Sequence, residues 1–166
     1  MRTMPKLNVG DPAPDFELLD DQGRPVRLSD FRGRPVLLYF YPKAMTSGCT
    51  RQACAFRDAM PEFERLGVTV LGISPDPVER LQAFKAKEGL NFPLLSDPDH
   101  TVAEAYGVWG EKSMYGRTYM GIIRSQFLID ENGIIRAAHY KISPAKSVPT
   151  ARKDLEAWQH ASQQGS

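Results

Sequence analysis

Cysteine is scarce in this chain, with two in 166 residues, too few for a disulfide scaffold. Histidine is scarcer than a metal centre would want: His100, His139 and His160 stand singly along the sequence. A closed zinc site needs four ligands at short spacings, and Cys49-x₄-Cys54 without a nearby histidine offers two. No charge of one sign dominates. Lysine plus arginine number 21 against 20 acidic residues, so the basic excess of a general nucleic-acid or membrane-surface binder is missing. Long apolar runs are also missing. The longest, Val36 to Tyr41, is far too short to cross a bilayer, and no hydrophobic stretch before Asp15 reads as a secretory signal. Repeats, low-complexity tracts and internal linkers are absent.

What remains is a globular balance, 42 % hydrophobic and 25 % charged. The length suits a single domain over residues 1–166, with loose ends at the first few residues and from Ser162 to Ser166. The expectation is a soluble, cytoplasmic protein, with no membrane or nucleic-acid partner.

The apolar period changes along the chain and sets an order of elements. Phe16–Leu19 and Val26–Leu28 flank Asp20-Asp21-Gln22-Gly23 and resemble a hairpin. Val36–Tyr41 reads as a strand covered on both faces, stopped by Pro42. A helix follows from about Gly48 to Leu66, with a kink or break expected at Pro61. Val68–Ser74 is the next strand. Asp76-Pro77-Val78-Glu79 reads as a helix start with Asp76 as the cap, and Gly89 ends that helix. A short strand near Phe92–Leu95 and a short helix near Thr101–Tyr106 follow. Ser125–Asp130 and Ile134–His139 flank Glu131-Asn132-Gly133, the clearest hairpin signal in the chain. A last helix covers about Thr150–Ala161. Strand–helix–strand units are parallel and the hairpins antiparallel, so the sheet is mixed. This is the order of a thioredoxin-like α/β fold, a central mixed sheet flanked by helices. It carries an extra N-terminal hairpin and an insertion around residues 92–124.

The chemistry concentrates between Tyr41 and Cys54, where the first core strand gives way to a helix. In open α/β sheets ligands bind beyond the carboxyl ends of the strands. Thr46 or Ser47 is the natural cap, which puts Cys49 in the first helical turn. Unpaired N–H groups and the positive end of the helix dipole favour a thiolate there. A plain alternative is a small buried hydrophobe, since Cys49, Ala53, Phe56, Met60 and Phe63 follow one apolar stripe. The polar Thr-Ser-Gly start and the strand-end location put the nucleophile ahead. Cys54, taken alone, reads as an unrelated free thiol. Five helical residues rotate by about 140° and rise about 7.5 Å, separating the two Cα atoms by roughly 8.7 Å. A bridge needs less than about 7 Å, so the two sulfurs meet only if the helix unwinds.

Pro42, Thr46 and Cys49 fit Pro-x-x-x-Thr-x-x-Cys, and together with Cys54 they resemble the peroxiredoxin family, Q-type (bacterioferritin comigratory protein) subgroup. Val9–Phe16, Gly107–Lys112, Gly121–Arg124 and Phe127–Asp130 are similar to further family segments in the same order. The resemblance implies a thiol peroxidase acting on hydrogen peroxide and organic hydroperoxides. It makes Cys49 the peroxidatic cysteine, oxidised to a sulfenic acid, and Cys54 the resolving cysteine that closes a disulfide. Thioredoxin, or glutaredoxin, then reduces that disulfide. Arg124 and Thr46 would hold the thiolate and the peroxide oxygens, and Pro42 would shield the sulfur. No cofactor or metal is implied, and the subgroup leans towards a monomer. Ser47, Gln52 and Gln126 depart from the family, which more often has proline, glutamate and threonine or serine there. Trp109 and Tyr115 are either pocket-lining aromatics or ordinary core and surface residues. Two other functions fit the same fold. A protein disulfide oxidoreductase would want Cys-x-x-Cys, and a metal-delivery module would want a histidine beside the thiols.

Overall fold

Successive side chains of a strand point to opposite faces, and the third strand shows what that does for a continuous apolar run. In the computed structural model, which describes residues 6–164, every residue of Val36–Phe40 is buried. Leu37, Tyr39 and the following Tyr41 join one core cluster, whereas Val36, Leu38 and Phe40 join another. The strand is the central wall between two apolar layers.

Among the described residues the main sheet has seven strands: β1 (Glu17–Asp20), β2 (Pro25–Arg27), β3 (Val36–Phe40), β4 (Thr69–Ser74), β5 (Leu94–Ser96), β8 (Ser125–Ile129) and β9 (Ile135–His139). Their order is β2-β1-β5-β4-β3-β8-β9. β3, β4 and β5 run parallel, whereas β8 and β9 return antiparallel and β1 pairs antiparallel with β5. The sheet is mixed and thioredoxin-like, as the element order implied. One layer carries α1 (Ser47–Arg65), α2 (Val78–Glu88) and α4 (Ser147–Gln164), whose apolar residues pack on Leu37, Tyr39 and Tyr41. The other carries α3 (Thr101–Ala105) and the segment around Phe16.

Several expectations need correction. The insertion contains a separate two-stranded hairpin, β6 (Trp109–Met114) and β7 (Arg117–Ile122). Its turn is Tyr115-Gly116, both with positive φ, as a two-residue hairpin turn of primed type requires. Helix α1 runs through Pro61 without a break. Proline removes the N–H that would bond the Arg57 carbonyl one turn back. Asn91 takes its place, its Nδ2 donating to that carbonyl at 3.3 Å. Asp76 does not cap α2: Pro77 is the cap residue, and Asp76 faces the loop after β3 instead. α4 begins at Ser147 rather than Thr150, and its backbone stays helical to Gln164, where a loose tail was expected from Ser162. The rest of that expected tail, residues 165–166, and the N-terminal residues 1–5 expected to be loose lie outside the described residues. Gly89 does end α2, in the left-handed region at φ 62°. Among the described residues no helix is long and apolar enough to cross a membrane.

Candidate active site

Strand β3 ends, Pro42 interrupts the ladder, and the chain turns into α1. Thr46 is the cap residue, with extended backbone, and the first helical bond runs from the Thr50 N–H to the Thr46 carbonyl at 2.9 Å. The N–H groups of Ser47, Gly48 and Cys49 therefore have no acceptor within the helix. The Thr46 hydroxyl does not cap them; it donates to the Lys43 carbonyl at 2.8 Å, which leaves its lone pairs free to accept.

Asp76 fixes the loop that leads into this turn. It is 7 % exposed, accepts from the Ala44 N–H at 2.7 Å and from the Ser74 hydroxyl at 2.8 Å, and pairs with Arg80 at 3.3 Å. Arg80 in turn donates to the Ala44 carbonyl at 3.4 Å. Ala44 is thus held by both of its backbone groups. The next residue, Met45, sits in the left-handed region at φ 68°, an uncommon place for a side-chain-bearing residue.

Cys49 is 1 % exposed and lies in the apolar cluster between α1 and the sheet. Its sulfur is not surrounded by hydrocarbon alone. Arg124, from the segment entering β8, places Nη2 at 3.3 Å from Sγ. A Cβ added at Gly48 would lie 3.4 Å from both that Nη2 and Pro144, so the guanidinium rests against the start of the helix. Arg124 Nη1 donates to Gln52 Oε1 at 2.5 Å, and Gln52 Nε2 donates to Ser147 Oγ at 2.7 Å. Gln126 Nε2 donates to the Ser147 carbonyl at 3.0 Å. Gln52, Gln126 and Ser147 are all fully buried. A cavity of about 400 Å³ opens beside Arg124, lined also by Lys112, Ile123, Lys141, Ile142 and Ser143. Burial and the nearby Arg124 charge hold the Lys112 ammonium below its ordinary pKa. A larger cavity, about 570 Å³, lies at the opposite ends of β3 and β4, beside Pro35 and Thr69, away from Cys49 and Arg124.

Of the residues singled out by sequence, the fold brings Cys49 and Arg124 into contact. Thr46 is adjacent at the helix cap, and Pro42 is half-buried at the strand end. Cys54 stands apart: it is a free thiol further along the same unbroken helix, half-buried. Burial pushes its pKa up, with Arg57 partly opposing. Among the described residues, no three or more His, Cys, Asp or Glu side chains gather as metal ligands would. Trp109 stacks on His100 with ring centroids 3.8 Å apart, and Tyr115 is exposed at the hairpin turn.

The family model described as AhpC/TSA matches residues 9–138. This chain belongs to the AhpC/TSA family. It is 59 % identical over 132 residues to the peroxiredoxin Bcp of Escherichia coli K12, covering 80 % of this chain and 85 % of that protein. It is 51 % identical over 150 residues to a putative peroxiredoxin of Mycobacterium tuberculosis, covering 90 % and 96 %. Among solved structures, a Xylella fastidiosa peroxiredoxin Q mutant superposes with TM-score 0.85 at 33 % identity, covering 95 % of this chain and 99 % of that one. The bacterioferritin comigratory protein of Xanthomonas campestris, studied for alkyl peroxide reduction, gives TM-score 0.81 at 36 % identity, covering 86 % and 90 %. The chain is accordingly a peroxiredoxin of the Bcp/Q type: a thiol-dependent peroxidase with a peroxide substrate, a thiol reductant and two cysteines.

In the sequence Gln52 and Gln126 stand out only as departures from the family, and Ser147 carries no signal of its own. The helical spacing of Gln52 held a signal. It lies three residues after Cys49, close to the same helix face, so the phase that buries the sulfur buries the amide too.

Proposed function

We propose that Cys49 is the sulfur that attacks the peroxide and Cys54 the one that resolves the product. The observation that carries this is the Arg124 guanidinium 3.3 Å from a fully buried Cys49 Sγ, at a helix start whose first N–H groups are unpaired within the helix. A permanently charged donor there stabilises a thiolate and the negative charge that develops on the departing oxygen.

In the first step the Cys49 thiolate attacks the terminal oxygen of ROOH, the O–O bond breaks, and RO⁻ leaves and takes a proton to become ROH. Cys49 is now a sulfenic acid. Thr46, its hydroxyl donating to Lys43, offers an acceptor for the peroxide proton, and Pro42 shields the sulfur. In the second step the Cys54 sulfur displaces hydroxide from that acid, water is released, and a Cys49–Cys54 disulfide forms. A dithiol protein then returns both sulfurs to thiols and is itself oxidised. We take the substrates to be hydrogen peroxide and alkyl hydroperoxides, and the reductant to be thioredoxin or glutaredoxin. Residues 1–166 are read as one catalytic domain, acting as a monomer in the cytoplasm.

Peroxide consumption coupled to thioredoxin tests this directly. Cys49→Ser is expected to abolish turnover. Cys54→Ser is expected to keep one rapid oxidation of Cys49 per chain while losing recycling by thioredoxin. A Cys49→Ser protein turning over at the parent rate overturns the assignment.

A further inference from the structure

When a thiolate takes the terminal oxygen of ROOH, that oxygen keeps its own proton and becomes the sulfenic hydroxyl. The other oxygen departs as RO⁻ and needs a proton from elsewhere. A group that delivers it while the O–O bond breaks lowers the barrier. Arg124 is not that group, because a guanidinium stabilises charge but does not give up a proton in a protein. Nor is Thr46, whose one hydroxyl proton is committed to the Lys43 carbonyl.

Lys112 stands where the proton is wanted. It lies on β6 opposite Tyr119, on the same face of the hairpin as Gly121. The missing side chain at Gly121 lets the lysine stem pass: a Cβ there would come 3.2 Å from Lys112 Cδ. The stem carries Nζ to the Ile122 carbonyl, where it donates at 2.9 Å, two residues before Arg124. One of the three ammonium protons is engaged there and two remain. Lys112 and Arg124 line the same cavity of about 400 Å³. Glu111 and Lys141, the other titratable groups lining it, are exposed, whereas Lys112 is half-buried. The phenols of Tyr39 and Tyr41 do not line it, and burial pushes their pKa values up. Burial and the Arg124 charge make Lys112 a stronger acid than a free lysine, with the Cys49 sulfur opposing them. That is the direction a proton donor working at neutral pH requires.

We infer that Lys112 is the general acid of the first step, giving one Nζ proton to the departing peroxide oxygen. This rests on the reading of Cys49 as the attacking sulfur. Sγ bonds to the terminal oxygen, and the electron pair of the O–O bond goes to the departing oxygen. That oxygen takes the Nζ proton, and the N–H electron pair stays on Lys112. The products are the sulfenic acid, ROH and a neutral amine, which can still donate to Ile122 and recovers its proton from water. The two cations divide the step: Arg124 holds negative charge, and Lys112 removes it.

The test compares two oxidants by the rate of the first Cys49 oxidation in the full chain at neutral pH. tert-Butyl hydroperoxide expels an alkoxide, which needs the proton. Peroxyacetic acid expels a carboxylate, which is stable without one. Lys112→Met keeps an unbranched stem and removes the acid. It is expected to slow oxidation by tert-butyl hydroperoxide roughly 100-fold or more, and oxidation by peroxyacetic acid only a few-fold. Lys112→Arg keeps the charge but has no proton to give, and is expected to show the same split. Equal slowing with both oxidants, the mark of a displaced hairpin, overturns the inference. So does the parent rate with tert-butyl hydroperoxide in either variant. A Cys49→Ser protein that consumes tert-butyl hydroperoxide at the parent rate overturns instead the reading on which the inference rests.

Discussion

Closing a Cys49–Cys54 bridge asks this helix for something it cannot give intact. The two Cα atoms of an ideal helix stand roughly 8.7 Å apart at that spacing, and a disulfide needs less than about 7 Å. The bonds between the two cysteines have to open, which takes Ser47 to Cys54, eight residues, out of α1. With them go the Arg124–Gln52 and Gln52–Ser147 hydrogen bonds, worth about 1–3 kcal/mol each when charged or buried partners are left behind. The burial of the Cys49 and Ala53 side chains is lost as well, about 1 kcal/mol apiece. The loss is then about 5 kcal/mol. The cross-link closes a loop of only six residues and returns about 2 kcal/mol by restricting the unfolded chain. The disulfide form is expected to be less stable by about 3 kcal/mol and to melt roughly 6–12 °C lower for a chain of this size. The assay is one equivalent of hydrogen peroxide, intact mass showing the loss of two hydrogens, then calorimetry and amide exchange on both forms. Exchange protection is expected to vanish over residues 50–54 and to persist beyond Phe56. A bridged protein with those amides still protected, or melting at the reduced temperature, refutes the reasoning.

Three further outcomes follow from particular contacts. Burial holds the Cys54 thiol above its ordinary pKa, so its thiolate fraction still rises as pH climbs past the usual thiol range. Disulfide closure after oxidation is expected to quicken across pH 6–9 and slow further at neutral pH in Arg57→Ala, read by rapid acid quench and mass spectrometry. Asn91→Ala removes the donor to the carbonyl that Pro61 orphans and is expected to cost about 0.5–1.5 kcal/mol by urea melting. That cost is expected to disappear in a Pro61→Ala background. Gly72→Ala would place a Cβ 2.9 Å from the Tyr39 ring, which is itself stacked on Phe56 at 4.7 Å. Overpacking of this kind is expected to cost about 1–3 kcal/mol, read as a lower denaturation midpoint.

Local signals carried the elements whose causes are local. The apolar run at Val36, the turn at Glu131-Asn132-Gly133 and the glycine after Glu88 were legible because each acts through its own neighbours. The β6–β7 hairpin was not, since most of its residues are exposed or half-exposed and give no apolar alternation. Pro61 misled for the opposite reason. The rule that proline breaks helices assumes that nothing supplies the missing bond, and Asn91, thirty residues away, supplies it. Asp76 read as a cap from its spacing, but its carboxylate is claimed by Ala44 and Ser74. At the site, Cys49 was legible from its helix position, and Arg124 only through a family resemblance. The hold of Gln52 on Arg124 depends on α4 arriving alongside, which no local pattern records.

The clamp on Ala44 sets one end of whatever moves here. Asp76 and Arg80 hold that residue by both backbone groups, while the far end is fastened at Phe56 on Tyr39 and at Arg57, which donates to the Glu88 carbonyl. Between these two rivets lie Met45, both cysteines and Gln52, a span of eleven residues. An opening of α1 that joins the two cysteines is expected to stay between these fixed points, with the sheet, α2 and the rear half of α1 as its housing. Substitutions between the rivets are expected to change how fast that opening occurs, and substitutions at the rivets themselves how far it extends.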